Sequence, residues 1–70
     1  MKYLIVIEET VNGYSAYSPD LPGCAAAGPT VEATEQNMRE AIAFHLEGLR
    51  AEGMDVPRAT TRSSYVEVAA

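Results

Sequence analysis

The sequence contains one cysteine, one histidine and no tryptophan. A single cysteine, Cys24, cannot form the disulfide framework that stabilises many small secreted domains. Cys24 and His45 alone are also too few to form a structural zinc site, which takes four ligands. A 70-residue chain without disulfides or metal buries only about 60% of its unfolded surface, and such chains often gain stability by oligomerising. We therefore expect a single domain, residues 1–70, that forms a dimer or larger oligomer.

Basic residues are also scarce, with five Lys and Arg against ten Asp and Glu, for a formal net charge of −5. Nucleic-acid-binding surfaces need several bases that neutralise phosphates. The five bases are scattered over the chain, and we expect no DNA binding by this chain alone. An acidic surface instead suits a basic protein partner, because opposite charges speed the encounter. The same charge also serves solubility.

Long hydrophobic runs are absent. The apolar run at residues 3–7 is too short to span a membrane. Met1 and Lys2 lead directly into this run, and no small-residue cleavage pattern of a signal peptide follows. We expect a cytoplasmic, soluble protein with no membrane association.

Three short strands are predicted in the first part of the chain. Residues 2–8 (KYLIVIE) contain a continuous apolar run, which is typical of a strand buried on both faces. Residues 9–13 (ETVNG) form the hairpin connection, with Asn12 and Gly13 supplying positive φ angles. The second strand covers residues 14–18. The third covers residues 24–27, where small side chains lie between Gly23 and Gly28.

A long helix follows the strands. Thr30 is its expected N-cap, and Gly53 is its expected stop. Phe44 falls outside the apolar stripe of this helix. At 3.6 residues per turn, the stripe consists of Val31, Met38, Ile42, His45, Leu46 and Leu49. Residues 64–69 (SYVEVA) alternate in polarity, which predicts a last strand.

The predicted fold class is α+β, in the order β-β-β-α-β, with a small, mainly antiparallel sheet and one long helix on one face. One helix can cover only one face of a sheet. The first strand is apolar on both faces, and Phe44 lies outside the core stripe. Uncovered apolar surface of this kind marks interfaces, so we predict an oligomer interface formed by Leu4, Val6 and Phe44.

Few residues suggest catalysis. His45 lies on the apolar stripe, where a histidine usually packs and forms hydrogen bonds, and no serine or cysteine nucleophile can be paired with it. Cys24 begins a strand and is interpreted as a small buried hydrophobic residue. The glycines are too widely spaced for a phosphate-binding loop. We predict no catalytic residue and no cofactor.

Four carboxylates could form a metal site if strand ends brought them together: Glu8, Glu9, Asp20 and Glu67. However, Glu8 and Glu9 lie where a strand ends at a hairpin, and solvated acids are normal there. Asp20 lies in a Pro-Asp turn, where its side chain can bond its own backbone. We therefore predict no metal site.

The segment containing Tyr17, Pro19, Leu21 and Pro22 forms a stiff, partly apolar loop. One interpretation is a turn that sets the spacing of the strands. The other is a preorganised contact surface, because a rigid loop loses less entropy on binding. The residues alone leave both interpretations open.

Taken together, several segments resemble the HicB-type antitoxin family: YLIVIEE (3–9), NGYSAYSPDLPGC (12–24), NMREAIAFHLEGL (37–49) and Val56-Pro57. The resemblance covers nearly the whole chain, and its specific part is the YSAYSPDLPGC segment. It implies a truncated RNase H-like fold and a partner, a small, basic, RNA-cleaving HicA-like toxin. No complete set of catalytic acids is present, so the resemblance does not extend to nuclease activity.

The resemblance, the acidic charge and the stiff loop together predict neutralisation of the toxin by direct contact, through residues at the sheet edge and the stiff loop: Glu8, Tyr17, Pro19, Asp20, Leu21 and Pro22. Many HicB antitoxins carry a C-terminal DNA-binding domain. The sequence ends at Ala70, directly after its last predicted strand, so we expect none here. Two alternatives stay open, a solitary HicB-like homo-oligomer with an unknown ligand or structural role, and a residual metal-dependent nuclease.

Overall fold

A computed structural model describes residues 1–69. It contains three strands followed by one helix: β1 (Val6–Thr10), β2 (Gly13–Tyr17), β3 (Ala25–Gly28) and α1 (Val31–Ala51). The strands form one sheet in the order β1-β2-β3, and both neighbouring pairs are antiparallel. The predicted α+β class, with a small antiparallel sheet and one long helix, is confirmed.

The β1–β2 hairpin differs from its prediction in position and turn geometry. β1 begins at Val6, because β2 ends opposite it at Tyr17 and leaves residues 2–5 without a neighbouring strand. Among residues 1–69 only Gly23 and Gly53 have positive φ, so the prediction of positive φ at Asn12 and Gly13 was wrong. Gly13 is required for another reason. A Cβ there would lie 2.6 Å from the Gly28 carbonyl oxygen on β3.

Helix α1 begins and ends as its caps predict. The Ala33 backbone N–H donates to the Thr30 hydroxyl oxygen at 3.0 Å, which confirms the N-cap. At the other end, Gly53 has a φ of 70°. The Gly53 N–H donates to the Arg50 carbonyl and the Met54 N–H to the Leu49 carbonyl. These two bonds form a Schellman motif, which stops the helix.

The core lies between the helix and one face of the sheet. It is built from five buried side chains: Ala16, Leu21, Cys24, Met38 and Leu46. Ile5 and Ile7 pack against this core from the first part of the chain. Leu4 and Val6 project from the opposite face and are only half-buried. The prediction that the first strand is buried on both faces was therefore wrong within this chain, because α1 covers only one of them.

The predicted last strand is also absent. Residues 54–69 form neither helix nor strand, although their polarity alternates at residues 64–69 as a strand would. A strand requires a hydrogen-bonding neighbour, and this segment has none in the described chain. The order of elements is therefore β-β-β-α within residues 1–69.

Candidate partner-binding surface

Two consecutive turns build the loop that leaves β2. The Leu21 N–H donates to the Ser18 carbonyl at 3.1 Å, and the Cys24 N–H donates to the Leu21 carbonyl at 3.0 Å. In each turn a proline occupies the second position, where its fixed φ is already suitable. Gly23 occupies the third position of the second turn with a φ of 81°, which is typical of a type II turn. The loop is therefore rigid.

Side chains inside the loop fasten it to the body of the domain. Leu21 is fully buried in the core, and Ser18 and Cys24 are buried beside it. The Ser18 hydroxyl donates to the Leu4 carbonyl at 2.9 Å, which ties the loop to the residues before β1. The prediction of Leu21 as a partner contact needs correction, because a side chain with 0% exposure cannot reach a partner. Leu21 anchors the loop instead.

Asp20 binds a distant segment of the chain. Its carboxylate accepts hydrogen bonds from the backbone N–H groups of Thr60 and Thr61, both at 3.1 Å. It also accepts from their hydroxyl groups, at 3.1 and 2.7 Å respectively. These bonds, led by the Thr61 hydroxyl, hold the pKa of Asp20 below its ordinary value of 3.8. We call this arrangement the Asp20 clasp.

The clasp corrects the expectation that Asp20 bonds its own turn. Sequence reasoning missed Thr60 and Thr61, and no local signal could have found them, because forty residues separate Thr60 from Asp20. With its oxygens engaged in this way, Asp20 positions the C-terminal segment. Its charge still adds to the acidic character of the loop.

The remaining predicted contacts gather on one face of the sheet. Residues paired across two strands project from the same face, and Val6 pairs with Tyr17. Leu4 and Glu8 share that face because side chains alternate along a strand. Leu4, Val6, Glu8 and Tyr17 thus form a surface opposite α1, which we call the open face. Glu8 is exposed, Tyr17 is 45% exposed, and the exposed Pro19 and Pro22 follow in the loop.

Phe44 lies apart from the open face. It projects from α1 with 79% of its surface exposed. With Cys24, His45 and Gly48 it lines a shallow groove between the helix and the start of β3. The structure therefore does not unite the three predicted interface residues, since Leu4 and Val6 are on the open face and Phe44 is on the helix.

Cys24 is poorly suited to act as a nucleophile in this groove. Burial raises the pKa of the Cys24 thiol, so at neutral pH it stays protonated and a poor nucleophile. His45 is half-buried beside it. Cys24 is confirmed as a buried small side chain, and the packing role of His45 stays a prediction.

The four carboxylates considered for a metal site are dispersed. Glu8 and Glu9 are consecutive on β1 and project from opposite faces, while Asp20 is held in its clasp. Within residues 1–69, no three Asp, Glu, His or Cys side chains come together as metal ligands. In the same part of the chain, α1 is too polar to serve as a membrane span.

Comparison with known proteins decides the family. The family model described as "HicB_like antitoxin of bacterial toxin-antitoxin system" matches residues 3–69. The chain belongs to the HicB-like antitoxin family. The resemblance noted in the sequence is thereby confirmed, over both the YSAYSPDLPGC segment and the helix.

A solved structure supports the same HicB-like assignment. The chain superposes on a chain of a structure titled "HicA3 and HicB3 toxin-antitoxin complex" with a TM-score of 0.74 and 40% sequence identity. The match covers 86% of this chain and 70% of the other. At this identity the likeness extends beyond the fold to the detailed sequence.

Relatives in other genomes carry uninformative names. An uncharacterised 14.9 kDa protein of Haemophilus phage HP1 is 38% identical over 94% of this chain and 50% of its own length. A UPF0150 protein of Synechocystis is 40% identical over 80% of this chain and 72% of its own. This HicB-like chain thus spans about half the length of the phage relative.

Proposed function

We propose that this chain is an antitoxin that neutralises a small, basic, RNA-cleaving HicA-like toxin by direct protein contact. The observation that carries the proposal is the match to a chain of the HicA3 and HicB3 complex, at 40% identity over 86% of this chain. The charge of −5 supports it, because an acidic protein is electrostatically complementary to a basic one.

The open face and the loop beside it are the proposed contact surface. Glu8 supplies negative charge, Tyr17 supplies an exposed aromatic ring, and Pro19 and Pro22 extend the apolar area. Aromatic residues are frequent among the residues that dominate binding energy. The double turn holds the loop in one conformation, so little entropy is lost when a partner binds. Leu21 supports this surface from the core, and Asp20 supports it through its bonds to Thr60 and Thr61.

In this proposal the protein acts by covering its partner, with no catalysis, metal or cofactor of its own. The residual-nuclease alternative would need Asp20 as a metal ligand, and the clasp already uses both of its oxygens. We place the action in the cytoplasm, where an RNA-cleaving toxin meets its substrate. DNA binding by this chain alone forms no part of the proposal, given its scattered bases.

Co-purification with the cognate toxin tests the proposal. The candidate toxin is any short basic protein encoded beside this gene, produced with a tag and an inactivating mutation. We expect a stable complex on size exclusion, weakened when Tyr17→Ala and Glu8→Gln are combined. Val11→Ala is the matched control, because Val11 is exposed at the hairpin tip, away from the loop. Failure of the wild-type proteins to associate would contradict the proposal.

A solitary homo-oligomer is the second candidate function, favoured by the apolar surface that α1 leaves uncovered. Leu4 and Val6 are half-buried on the open face, and Phe44 is 79% exposed. Phe44→Glu would place an unpaired charge in any interface that buries Phe44. Light scattering on the variant should then show weaker assembly than wild type. An unchanged mass would remove Phe44 from the interface.

A further inference from the structure

The C-terminal segment, residues 62–69, has the sequence of a strand but no strand to pair with. Its apolar side chains are exposed: Tyr65 at 102%, Val66 at 80% and Val68 at 75%. Exposed apolar residues arranged with strand periodicity are typical of a segment that adds to the edge of a sheet.

The start of this segment is held in place on the domain. The Tyr3 hydroxyl donates to the Pro57 carbonyl, and the Asp20 clasp holds Thr60 and Thr61. Beyond the clasp, residues 62–69 are all exposed. The molecule is 49 Å long, whereas a helix of 21 residues spans only about 31 Å. The segment is therefore presented to the surroundings from a fixed base.

The sheet offers an edge at β1. The Ser18 N–H donates to the Cys24 carbonyl, on the side of β3. Because backbone groups alternate in direction along a strand, the even-numbered residues of β2 bond to β3 and the odd-numbered residues bond to β1. Val6 and Glu8, which are opposite Tyr17 and Ser15, then bond inward. The backbone groups of Ile7 and Glu9 point outward along the free edge.

The other edge, at β3, is less suitable. The Asn37 side-chain amide donates to the Ala27 carbonyl at 2.8 Å, which occupies an outward acceptor of this strand. β3 also has only four residues. The edge at β1 is longer, since β1 has five residues and is preceded by residues 2–5, which no other strand of the described chain covers.

Charge indicates the direction in which a strand would add. Arg58, Arg62 and Glu67 give residues 58–69 a formal charge of +1, which leaves −6 for residues 1–57. An antiparallel arrangement brings Arg62 to Glu8 and Glu9, and brings Glu67 towards Lys2. A parallel arrangement would set Glu67 beside Glu8 and Glu9. Like charges across strands are destabilising, so antiparallel pairing is favoured.

This segment cannot pair antiparallel with β1 of its own chain. Asp20 follows the end of β2 that pairs with the start of β1, so the clasp fixes Thr61 at this end of the sheet. A segment that leaves Thr61 along its own β1 runs in the same direction as β1. Antiparallel pairing therefore requires β1 of another molecule.

We propose that residues 62–69 add as an antiparallel strand to the β1 edge of a second copy of this chain. Reciprocal exchange gives a two-fold symmetric dimer, in which each copy both donates and accepts a strand. With Arg62 opposite Glu8, Val66 lies opposite Leu4 and extends the open face. This inference holds whether or not the chain also binds a toxin, because the added strand flanks Leu4, Val6 and Glu8 at the edge and leaves Tyr17 and the loop prolines available.

Disulfide trapping tests the pairing. In a Cys24→Ala background, Leu4→Cys and Val66→Cys are made as separate proteins and then mixed under mild oxidation. The two positions form a non-hydrogen-bonded pair, with Cα atoms about 4.5 Å apart, which is within the range of a disulfide. We expect a covalent dimer in the mixture.

Glu8→Cys mixed with Val66→Cys is the matched control, because the parallel arrangement that sets Glu67 beside Glu8 and Glu9 also sets Val66 beside Glu8, whereas the antiparallel arrangement keeps these two positions four residues apart. Equal or faster cross-linking of this control would overturn the proposal. A double variant, Leu4→Cys with Val66→Cys, that closes an internal disulfide in a monomer would also overturn it. A wild-type protein that has the mass of one chain at micromolar concentration would also overturn it. That outcome would hold even if residues 62–69 became ordered on a different protein.

Charge reversal provides a second, independent measurement. Arg62→Glu should raise the dissociation constant of the homodimer by about tenfold, because two cross-strand pairs per dimer become repulsive. Adding Glu8→Arg in the same chain should restore most of the affinity. Both residues are exposed in the monomer, so neither change should affect folding. A Glu8→Arg addition that weakens the Arg62→Glu dimer further would contradict the proposed direction.

Discussion

At the scale of single residues, the loop after β2 owes its shape to a few side chains with separate tasks. Leu21 fills the core, Ser18 bonds to the Leu4 carbonyl, and Gly23 supplies the one left-handed conformation in the loop. Asp20 faces the other way and holds the C-terminal segment. The outward surface of the loop is therefore free to contact a partner.

Replacing Leu21 should destabilise the whole domain. Leu21→Ala removes a fully buried side chain and should lower the free energy of unfolding by about 2–5 kcal/mol. Val11→Ala, at a fully exposed position, should change it by less than about 0.5 kcal/mol. Urea denaturation monitored by circular dichroism measures both. Equal stabilities for the two variants would show that Leu21 is not a core residue.

Removing the Asp20 carboxylate should release the C-terminal segment. In Asp20→Ala the amides of Thr60 and Thr61 lose their acceptor, and we expect their hydrogen exchange to accelerate by about tenfold. The Thr34 amide, bonded to the Thr30 carbonyl within the helix, is the internal control. Unchanged exchange at Thr60 and Thr61 would contradict the clasp.

Lowering the pH should release the C-terminal segment in the same way as Asp20→Ala. The pKa of Asp20 is lower in the folded protein than its ordinary value of 3.8, so the folded state favours the ionised form. The stabilisation is complete above the ordinary value and is lost as the pH falls through the lower, folded-state pKa. Amide chemical shifts of Thr60 and Thr61, followed downward from pH 6, should change only below that ordinary value. A transition near neutral pH would contradict this assignment.

At the scale of elements, the sheet and the helix approach each other closely where β3 ends at Gly28. A Cβ on Gly28 would lie 2.8 Å from both the backbone nitrogen and the hydroxyl oxygen of Thr34. Thr34 is itself fully buried, and its hydroxyl donates to the Thr30 carbonyl at 2.7 Å. β3 therefore ends directly against the first turn of α1.

Two Gly→Ala substitutions should have opposite effects. Gly28→Ala should destabilise the domain by about 1–3 kcal/mol, because the new methyl group clashes with Thr34. Gly48→Ala should stabilise it by up to about 1 kcal/mol, because Gly48 lies within the helix with nothing within 4 Å of an added Cβ. Thermal unfolding of the two variants compares them directly. A stabilising Gly28→Ala would rule out this packing.

Elements with local signals could be predicted from the sequence, and those that depend on distant partners could not. Thr30 and Gly53 mark the helix ends through bonds made within a few residues, so both were predictable. The last strand could not be predicted correctly. Alternating polarity at residues 64–69 indicates a segment that can pair with a strand, but it does not indicate which strand, or which chain, provides the partner. The open face was predicted only in part. Its apolar residues were evident, but the burial of Leu21 and the clasp depend on contacts between distant parts of the chain.

At the scale of the whole molecule, the surfaces have different chemistry. The open face is apolar with an acidic residue at Glu8, α1 carries Phe44 on its exposed side, and the C-terminal segment carries bases at Arg58 and Arg62. An acidic body of this kind should attract a basic partner over distances of about 8–10 Å at moderate salt. Attraction should act mainly on the rate of association, and apolar contact on the rate of dissociation.

Binding kinetics should separate these two contributions. Glu8→Gln should lower the association rate with the toxin about two- to fivefold and flatten its dependence on salt. Tyr17→Ala should mainly raise the dissociation rate, by about tenfold or more. Glu47→Gln, on the helix and away from the open face, is the charge-matched control. Surface plasmon resonance at several salt concentrations measures all three, and equal effects of Glu8→Gln and Glu47→Gln would exclude the open face as the contact.

The central claim is that contact with this chain silences the toxin, and RNA cleavage measures that directly. The active toxin is incubated with a labelled RNA while the wild-type chain is titrated to saturation, with Tyr17→Ala and Val11→Ala titrated in parallel. We predict complete loss of cleavage at a fixed ratio of the two proteins. The curve should shift to higher concentration for Tyr17→Ala and stay in place for Val11→Ala. Undiminished cleavage at saturating wild-type protein would contradict the account.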